Sequence, residues 1–184
     1  LDRSVTLEGG DGERALVRVG AGAEWDDFVG WAVGQGLGGI ENLSLIPGCA
    51  GAAPVQNIGA YGVEAKDTIE SVECYLPDED RVVALSNAEC RFGYRDSVFK
   101  RELRSRAVIL SVLFGLSRRS EFRLRYEDVS RRVDELGGPS LKNIREAVVA
   151  IRRAKLPDPK VLGNAGSFFK NPVVSEEQAA RLLA

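Results

Sequence analysis

Alternating apolar and polar positions open the chain. Ala15, Val17 and Val19 alternate with Leu16 and Arg18, and the turn-forming run Gly9-Gly10-Asp11-Gly12 precedes them. This pattern predicts strands over residues 4–8 and 14–19, paired as a hairpin. The period then changes. Trp25, Phe28, Val29, Ala32 and Val33 recur at helical spacing behind Gly22-Ala23, with Asp26 and Asp27 in the first turn and Gly34 and Gly36 at the end, which predicts one amphipathic helix.

Strand periodicity returns over residues 68–75 and 81–85, joined by Pro77-Asp78-Glu79-Asp80, and residues 107–116 form a strongly apolar third strand. Two helices are expected next. One covers residues 126–136 and is closed by Gly137-Gly138-Pro139; the other carries the stripe Leu141, Ile144, Ala147, Val148 and Ile151 behind Ser140 as N-cap and stops before Pro157. Ser175-Glu176-Glu177-Gln178 has the form of a capping box and predicts a last helix running to the final residue. A sheet of several strands interrupted by one helix and followed by further helices describes an α+β protein.

Composition narrows the chemistry. With 184 residues, 44% hydrophobic and 28% charged, the chain suits one sizeable globular domain, and it has no apolar run long enough to cross a membrane. It starts at Leu1 with nothing resembling a signal peptide, which suggests a trimmed chain. A net charge of −2 offers no general attraction to nucleic acid or to an anionic membrane. Cys49, Cys74 and Cys90 are odd in number and lack paired metal-like spacing, so reduced thiols and a cytoplasmic location are expected. Histidine is absent, which removes a Ser-His-Asp triad and most zinc sites, and no metal is expected.

Four stretches carry candidate chemistry. "VGAG" at residues 19–22, with Glu41 at the distance of a ribose ligand, partly resembles a dinucleotide fingerprint, but Trp25 holds the place of the third glycine and an ordinary strand-to-helix turn is preferred. "IPGCAGAAPVQNIGAYG", residues 46–62, combines four glycines and two prolines with Gln56 and Asn57. Uncharged amides among small residues suit the wall of a large, flat, polar-edged cofactor, although a tightly packed loop needs only the small residues. In "FGYRDS", residues 92–97, Arg95 either pairs with the neighbouring Asp96 in solvent or aims its planar fork at a carboxylate. "AIRRAKLPDPK", residues 150–160, gathers Arg152, Arg153, Lys155 and Lys160, as a solvated helix end or a place for phosphates.

The last three of these stretches, together with "GNAGSFFKNP" at residues 163–172 and "RYEDV" around Tyr126, resemble the UDP-N-acetylenolpyruvoylglucosamine reductase family, type I branch, in order and spacing from about Val17 onward. The resemblance implies an FAD-binding lobe of the vanillyl-alcohol-oxidase type followed by the start of a substrate-binding lobe. Residues 1–160 would be the second FAD-binding lobe and residues 161–184 the truncated first segment of the substrate lobe. Family members also have a preceding smaller lobe with a glycine-serine-asparagine loop for the FAD pyrophosphate, and a late catalytic glutamate; neither is found here.

The implied activity is NADPH-dependent reduction of UDP-N-acetylglucosamine enolpyruvate to UDP-N-acetylmuramate through FAD, in peptidoglycan precursor synthesis, by a monomer acting on a sugar nucleotide. By the same resemblance Ser167 is the proton donor and Arg95 the ligand of the substrate carboxylate. Ile46, Pro47, Gly48, Gly51, Ala52, Gln56, Asn57, Gly59 and Ala60 form the flavin wall, with Ile109 and Arg152 near it. Tyr94, Tyr126, Lys155 and Asn171 lie around the substrate, the last three suited to its diphosphate. Two other outcomes stay open: a catalytically silent flavin-lobe fragment, and a sugar or alcohol oxidase sharing the FAD fold.

Overall fold

The computed structural model describes residues 1–119, 121–158, 161–163 and 170–183. Its strands are β1 (Val5–Gly10), β2 (Arg14–Gly20), β3 (Gly59–Ala60), β4 (Val63–Glu64), β5 (Ile69–Leu76), β6 (Arg81–Ser86) and β7 (Val108–Ser117), and its helices are α1 (Trp25–Gly34), α2 (Glu127–Glu135), α3 (Leu141–Lys155) and α4 (Glu176–Leu183). Five strands make one antiparallel sheet in the order β1-β2-β7-β5-β6, while β3 and β4 form a separate two-residue ladder.

The alternation in the sequence explains why β7 is central. Val112, Phe114 and Leu116 stand opposite Val19, Val17 and Ala15 of β2, and Val72 of β5 meets Val112 from the other side. All seven side chains are fully buried. Burial contributes about 1.5–3 kcal/mol for each of the larger ones. α1 lies on this face, with Phe28 and Trp25 at ring distances of 5.0 and 5.8 Å from Phe114. The buried Trp25 indole N–H donates to the Leu43 carbonyl at 2.9 Å, which meets its polar requirement.

α2 and α3 build a second, smaller core in which Val129 and Val133 meet Ile144, Ala147 and Val148, with Tyr61, Phe122 and Leu124 packed against it. Ser140 caps α3 by accepting the Asn143 N–H at 3.0 Å. The expected capping box is also present: Ser175 and Gln178 exchange hydrogen bonds of 3.0 and 3.3 Å at the start of α4.

Between α1 and β5 the chain runs through short 3-10 turns, among them Glu41–Leu43 and Ala50–Ala52. Here Gly51 is required by close approach. Its N–H donates to the Ala21 carbonyl at 3.0 Å, and a Cβ on it would lie 2.6 Å from the Ala21 methyl. Leu45 is fixed from both sides. Its N–H donates to Asp26 Oδ1 at 2.5 Å, and its carbonyl accepts from Arg152 Nε at 3.2 Å. Asp26 therefore does more than favour the α1 dipole: Arg145 of α3 also grips its two carboxylate oxygens at 2.6 and 3.0 Å. Burial alone would raise the Asp26 carboxyl, but the Arg145 and Leu45 hydrogen bonds outweigh it and hold the group below the usual carboxylate range.

Candidate cofactor and substrate site

The glycine-rich stretch lies along the edge of the sheet core with an uneven outer surface. Pro47, Gly48, Ala52 and Gln56 are exposed, whereas Ile46, Gly51, Gly59 and Ala60 are half-buried. Gly48 has φ 111°, in the region that favours glycine, and its carbonyl anchors the first turn of α1 by accepting the Trp25 N–H at 2.9 Å. Among the described residues no acceptor is found for the N–H groups of Gly48, Cys49 or Gln56. Free backbone donors on an exposed small-residue loop fit phosphate or ring carbonyl oxygens. Ile109, on β7, is half-buried against the sheet core, and Arg152 reaches the start of the loop through Leu45.

Asn57 departs from its expected position as a surface of the wall. It is fully buried, its Nδ2 donates to Glu64 Oε2 at 3.0 Å and to the Gly93 carbonyl at 2.9 Å, and its Oδ1 accepts the Lys66 N–H at 2.9 Å. The amide is saturated by protein, so Asn57 shapes the loop from behind.

Arg95 turns inward. Its Nη2 donates to the Gly59 carbonyl at 2.6 Å and its Nη1 reaches the Asn57 carbonyl at 3.5 Å, while the guanidinium carbon lies 5.3 Å from the centre of the Tyr94 ring. Asp96, the neighbour it was weighed against, pairs instead with Arg101 at 3.2 Å. Among the described residues the Arg95 guanidinium has no carboxylate partner. Ser97 ties this segment to the loop, its hydroxyl donating to the Val55 carbonyl at 2.6 Å.

Tyr126 caps the start of α2 and Lys155 ends α3. The Tyr126 ring meets Tyr61 edge to face at 5.7 Å and covers Gly62, where a Cβ would lie 3.5 Å from it. Lys155 donates to Asp128 Oδ2 at 3.0 Å; that hydrogen bond raises the Lys155 ammonium and lowers the Asp128 carboxyl. Asn171 is exposed and makes no hydrogen bond with the other candidate residues among those described. Ser167, Phe168, Phe169 and Lys160 lie outside the described residues.

Sequence reasoning missed Glu64, which holds Asn57, and Tyr61 and Asp128, which hold Tyr126 and Lys155 across distances in the chain that no local pattern reports. The ribose role of Glu41 is ruled out by burial: it is 3% exposed, and Oε2 accepts the Gly39 N–H at 2.6 Å. Gly20 and Gly22 instead admit the N-terminal segment, Gly22 donating to the Asp2 carbonyl at 2.7 Å. A separate open cleft of about 610 Å³, lined by Arg14, Gly38, Glu41, Thr68, Ser117 and Arg123 among others, contains none of the residues expected around the flavin or the sugar nucleotide. The lining arginines Arg14, Arg119 and Arg123 are paired with Glu70, Glu13 and Asp67.

Residues 4–85 match the FAD binding domain family. UDP-N-acetylenolpyruvoylglucosamine reductase of Chromobacterium violaceum is 57% identical over 94% of this chain, which covers 52% of that protein. The enzyme of the same name from Pseudomonas aeruginosa is 51% identical over 92% of the chain, with 50% of it covered. The crystal structure of UDP-N-acetylenolpyruvylglucosamine reductase from Thermus caldophilus superimposes with a TM-score of 0.62 at 26% identity, over 92% of this chain and 51% of that one. The chain thus spans about half the length of the curated relatives it matches. Along nearly its whole length it resembles the UDP-N-acetylenolpyruvoylglucosamine reductases, and its fold is an α+β FAD-binding fold.

Proposed function

We propose that this chain is part of a cytoplasmic, FAD-dependent reductase that converts UDP-N-acetylglucosamine enolpyruvate to UDP-N-acetylmuramate with NADPH, supplying peptidoglycan synthesis. Residues 1–160 would serve as an FAD-binding lobe and residues 161–184 as the start of a substrate lobe. The observation that carries the reading is Arg95: a half-buried guanidinium, cradled by the Gly59 and Asn57 carbonyls, with no carboxylate of its own among the described residues. Such a group is set to receive an acid from outside the protein.

Bound FAD would supply the hydride chemistry, taking electrons from NADPH and delivering them to the enolpyruvyl methylene carbon. The exposed Pro47, Gly48, Ala52 and Gln56 and the half-buried Ile46, Gly51, Gly59 and Ala60 would hold the cofactor against the loop, with Asn57 fixing the loop from within and Ile109 and Arg152 supporting its ends. Arg95 would bind the substrate carboxylate and stabilise negative charge developing beside it. Tyr94 would flank that arginine, while Tyr126, Lys155 and Asn171 would face the sugar nucleotide diphosphate. Ser167 would donate the proton from its hydroxyl to the carbon next to the carboxylate; a neutral donor does not oppose negative charge developing there.

The test is a comparison of half-reactions in the full-length protein carrying Ser167→Ala. Flavin reduction by NADPH should be unchanged, and reoxidation by the enolpyruvyl sugar nucleotide should fall by about 10² to 10⁴. Reoxidation within about threefold of wild type would remove Ser167 from the mechanism. A wild-type flavin reoxidised by oxygen and not by the enolpyruvyl compound would instead indicate an oxidase.

A further inference from the structure

Asn42 sits on the 3-10 turn Glu41–Leu43, beneath the site rather than in it, and is 1% exposed. Its Nδ2 donates two hydrogen bonds, to the Tyr61 carbonyl at 3.1 Å and to the Arg123 carbonyl at 2.9 Å. Its Oδ1 is buried with no partner, the one such side-chain atom among the described residues. The amide cannot be turned over to relieve that oxygen, because the turn would bring it against two carbonyl oxygens. An orphaned buried acceptor is normally avoided. The two donor bonds to the Tyr61 and Arg123 carbonyls hold the amide in this orientation.

What they hold is specific. Tyr61 ends the glycine-rich loop, and Arg123 lies three residues before Tyr126, whose ring stands edge to face on Tyr61. Arg123 is further tied to Asp67 by an ion pair at 2.7 Å. One amide therefore joins the loop on the cofactor side to the segment bearing Tyr126 on the substrate side. We propose that Asn42 is a positioning residue for the sugar nucleotide: it fixes the Tyr61–Tyr126 pair at the mouth of the site without touching a ligand. The proposal rests on the substrate reading given above for Tyr126.

The experiment uses the full-length, FAD-loaded protein with Asn42→Ala and Asn42→Asp. The alanine removes both donors. The aspartate keeps the shape; ionised it offers no donor to the two carbonyls, and protonated it regains one. Loss of both bonds should raise the KM for the enolpyruvyl sugar nucleotide about tenfold, with flavin reduction by NADPH within about twofold of wild type. Relative to wild type at each pH, the KM defect of Asn42→Asp should shrink between about pH 8 and about pH 5.5 as the carboxyl takes up its proton, and that of Asn42→Ala should not. A readout independent of turnover is tryptic cleavage after Arg123 and Arg125, which should quicken about fivefold in Asn42→Ala. If the wild-type protein does not turn over the enolpyruvyl compound, the functional reading fails while the tryptic rates still decide whether Asn42 is the clamp. An unchanged KM, an equal fall in both half-reactions, or an unchanged tryptic rate overturns the proposal. If the alanine protein is insoluble, the pH dependence of Asn42→Asp makes the same decision.

Discussion

Replacing Gly59 with alanine tests how far the placement of Arg95 depends on an absent side chain. The Gly59 backbone does not lie in the left-handed region, so alanine brings no conformational strain, and its effect is the contact it makes. A Cβ there would lie 2.8 Å from Arg95 Nη1, 3.0 Å from the Val63 carbonyl oxygen and 3.1 Å from Glu64 Cγ. The second and third distances can be relieved by shifts of a few tenths of an ångström. The first cannot, so the end of the arginine must move. It then loses the 2.6 Å bond to the Gly59 carbonyl. A hydrogen bond to a charged group is worth about 1.5–3 kcal/mol when buried. Because Arg95 is half-buried and water replaces part of the bond, a folding loss of about 1 kcal/mol is expected, a Tm decrease of about 2–4 °C at this chain length.

The functional loss should be larger than the stability loss. A guanidinium displaced by about 1 Å no longer presents two parallel N–H groups to a carboxylate, and the KM for the enolpyruvyl substrate should rise about 10- to 100-fold. Because Gly59 also belongs to the proposed flavin wall, both half-reactions are measured on FAD-saturated protein, and under the proposed function flavin reduction by NADPH should fall by less than the substrate half-reaction, since it would not use that carboxylate. Calorimetry on the chain and stopped-flow flavin spectra on the full-length protein measure the two quantities. A Gly59→Ala protein with a substrate KM within about twofold of wild type would refute the claim that this glycine places Arg95 for binding.

Arg95→Lys in the full-length protein should slow the substrate half-reaction by about tenfold or more, because an ammonium cannot form the paired bonds of a planar fork; equal slowing of NADPH-dependent flavin reduction would exclude Arg95 as the carboxylate ligand. Asp26→Asn should lower stability by about 1.5–3 kcal/mol at neutral pH by weakening the grip of Arg145 and the bond to Leu45. The Asp26 carboxyl is depressed in the folded protein, so its contribution is complete above the ordinary carboxylate pKa of about 4 and is lost as pH falls through the depressed value. Denaturation curves of wild type and Asp26→Asn should therefore converge on acidification, and a constant gap down to about pH 2 would show that the ion pair is not the cause.

The sheet and helices were legible because each is written in a local period. Ala15, Val17 and Val19 announce a buried strand face, and the structure sets them against Leu116, Phe114 and Val112. Ser140 and Ser175 announce helix starts by their own side-chain chemistry. The candidate site could be named by residue type but not by direction. An amide at position 57 suits a cofactor edge and a buried staple equally well, and only the chain path decides that it bonds Glu64, Gly93 and Lys66. The same holds for Arg95, whose adjacency to Asp96 left a solvated pair and a carboxylate ligand equally open until the turn set Asp96 against Arg101.

Backbone conformation explains why direction was hidden. Leu45, Asn57, Tyr61 and Arg95 all have positive φ, between 46° and 58°, and all four border the candidate site. In a sequence this conformation is normally signalled by glycine or asparagine, so Leu45, Tyr61 and Arg95 gave no signal to read. Each such residue costs about 1 kcal/mol or more, and it persists where its surroundings over-determine it. Those surroundings can be named. The Leu45 N–H is held by Asp26, the Asn57 amide by three partners, the Tyr61 carbonyl by Asn42, and the Arg95 guanidinium by the Gly59 carbonyl. The strained positions are thus held by polar groups distant in sequence. A change in Asn42 or Gly59 therefore reaches the site through the group it releases, and under the proposed function the half-reaction that would use a substrate carboxylate and diphosphate is the one expected to respond.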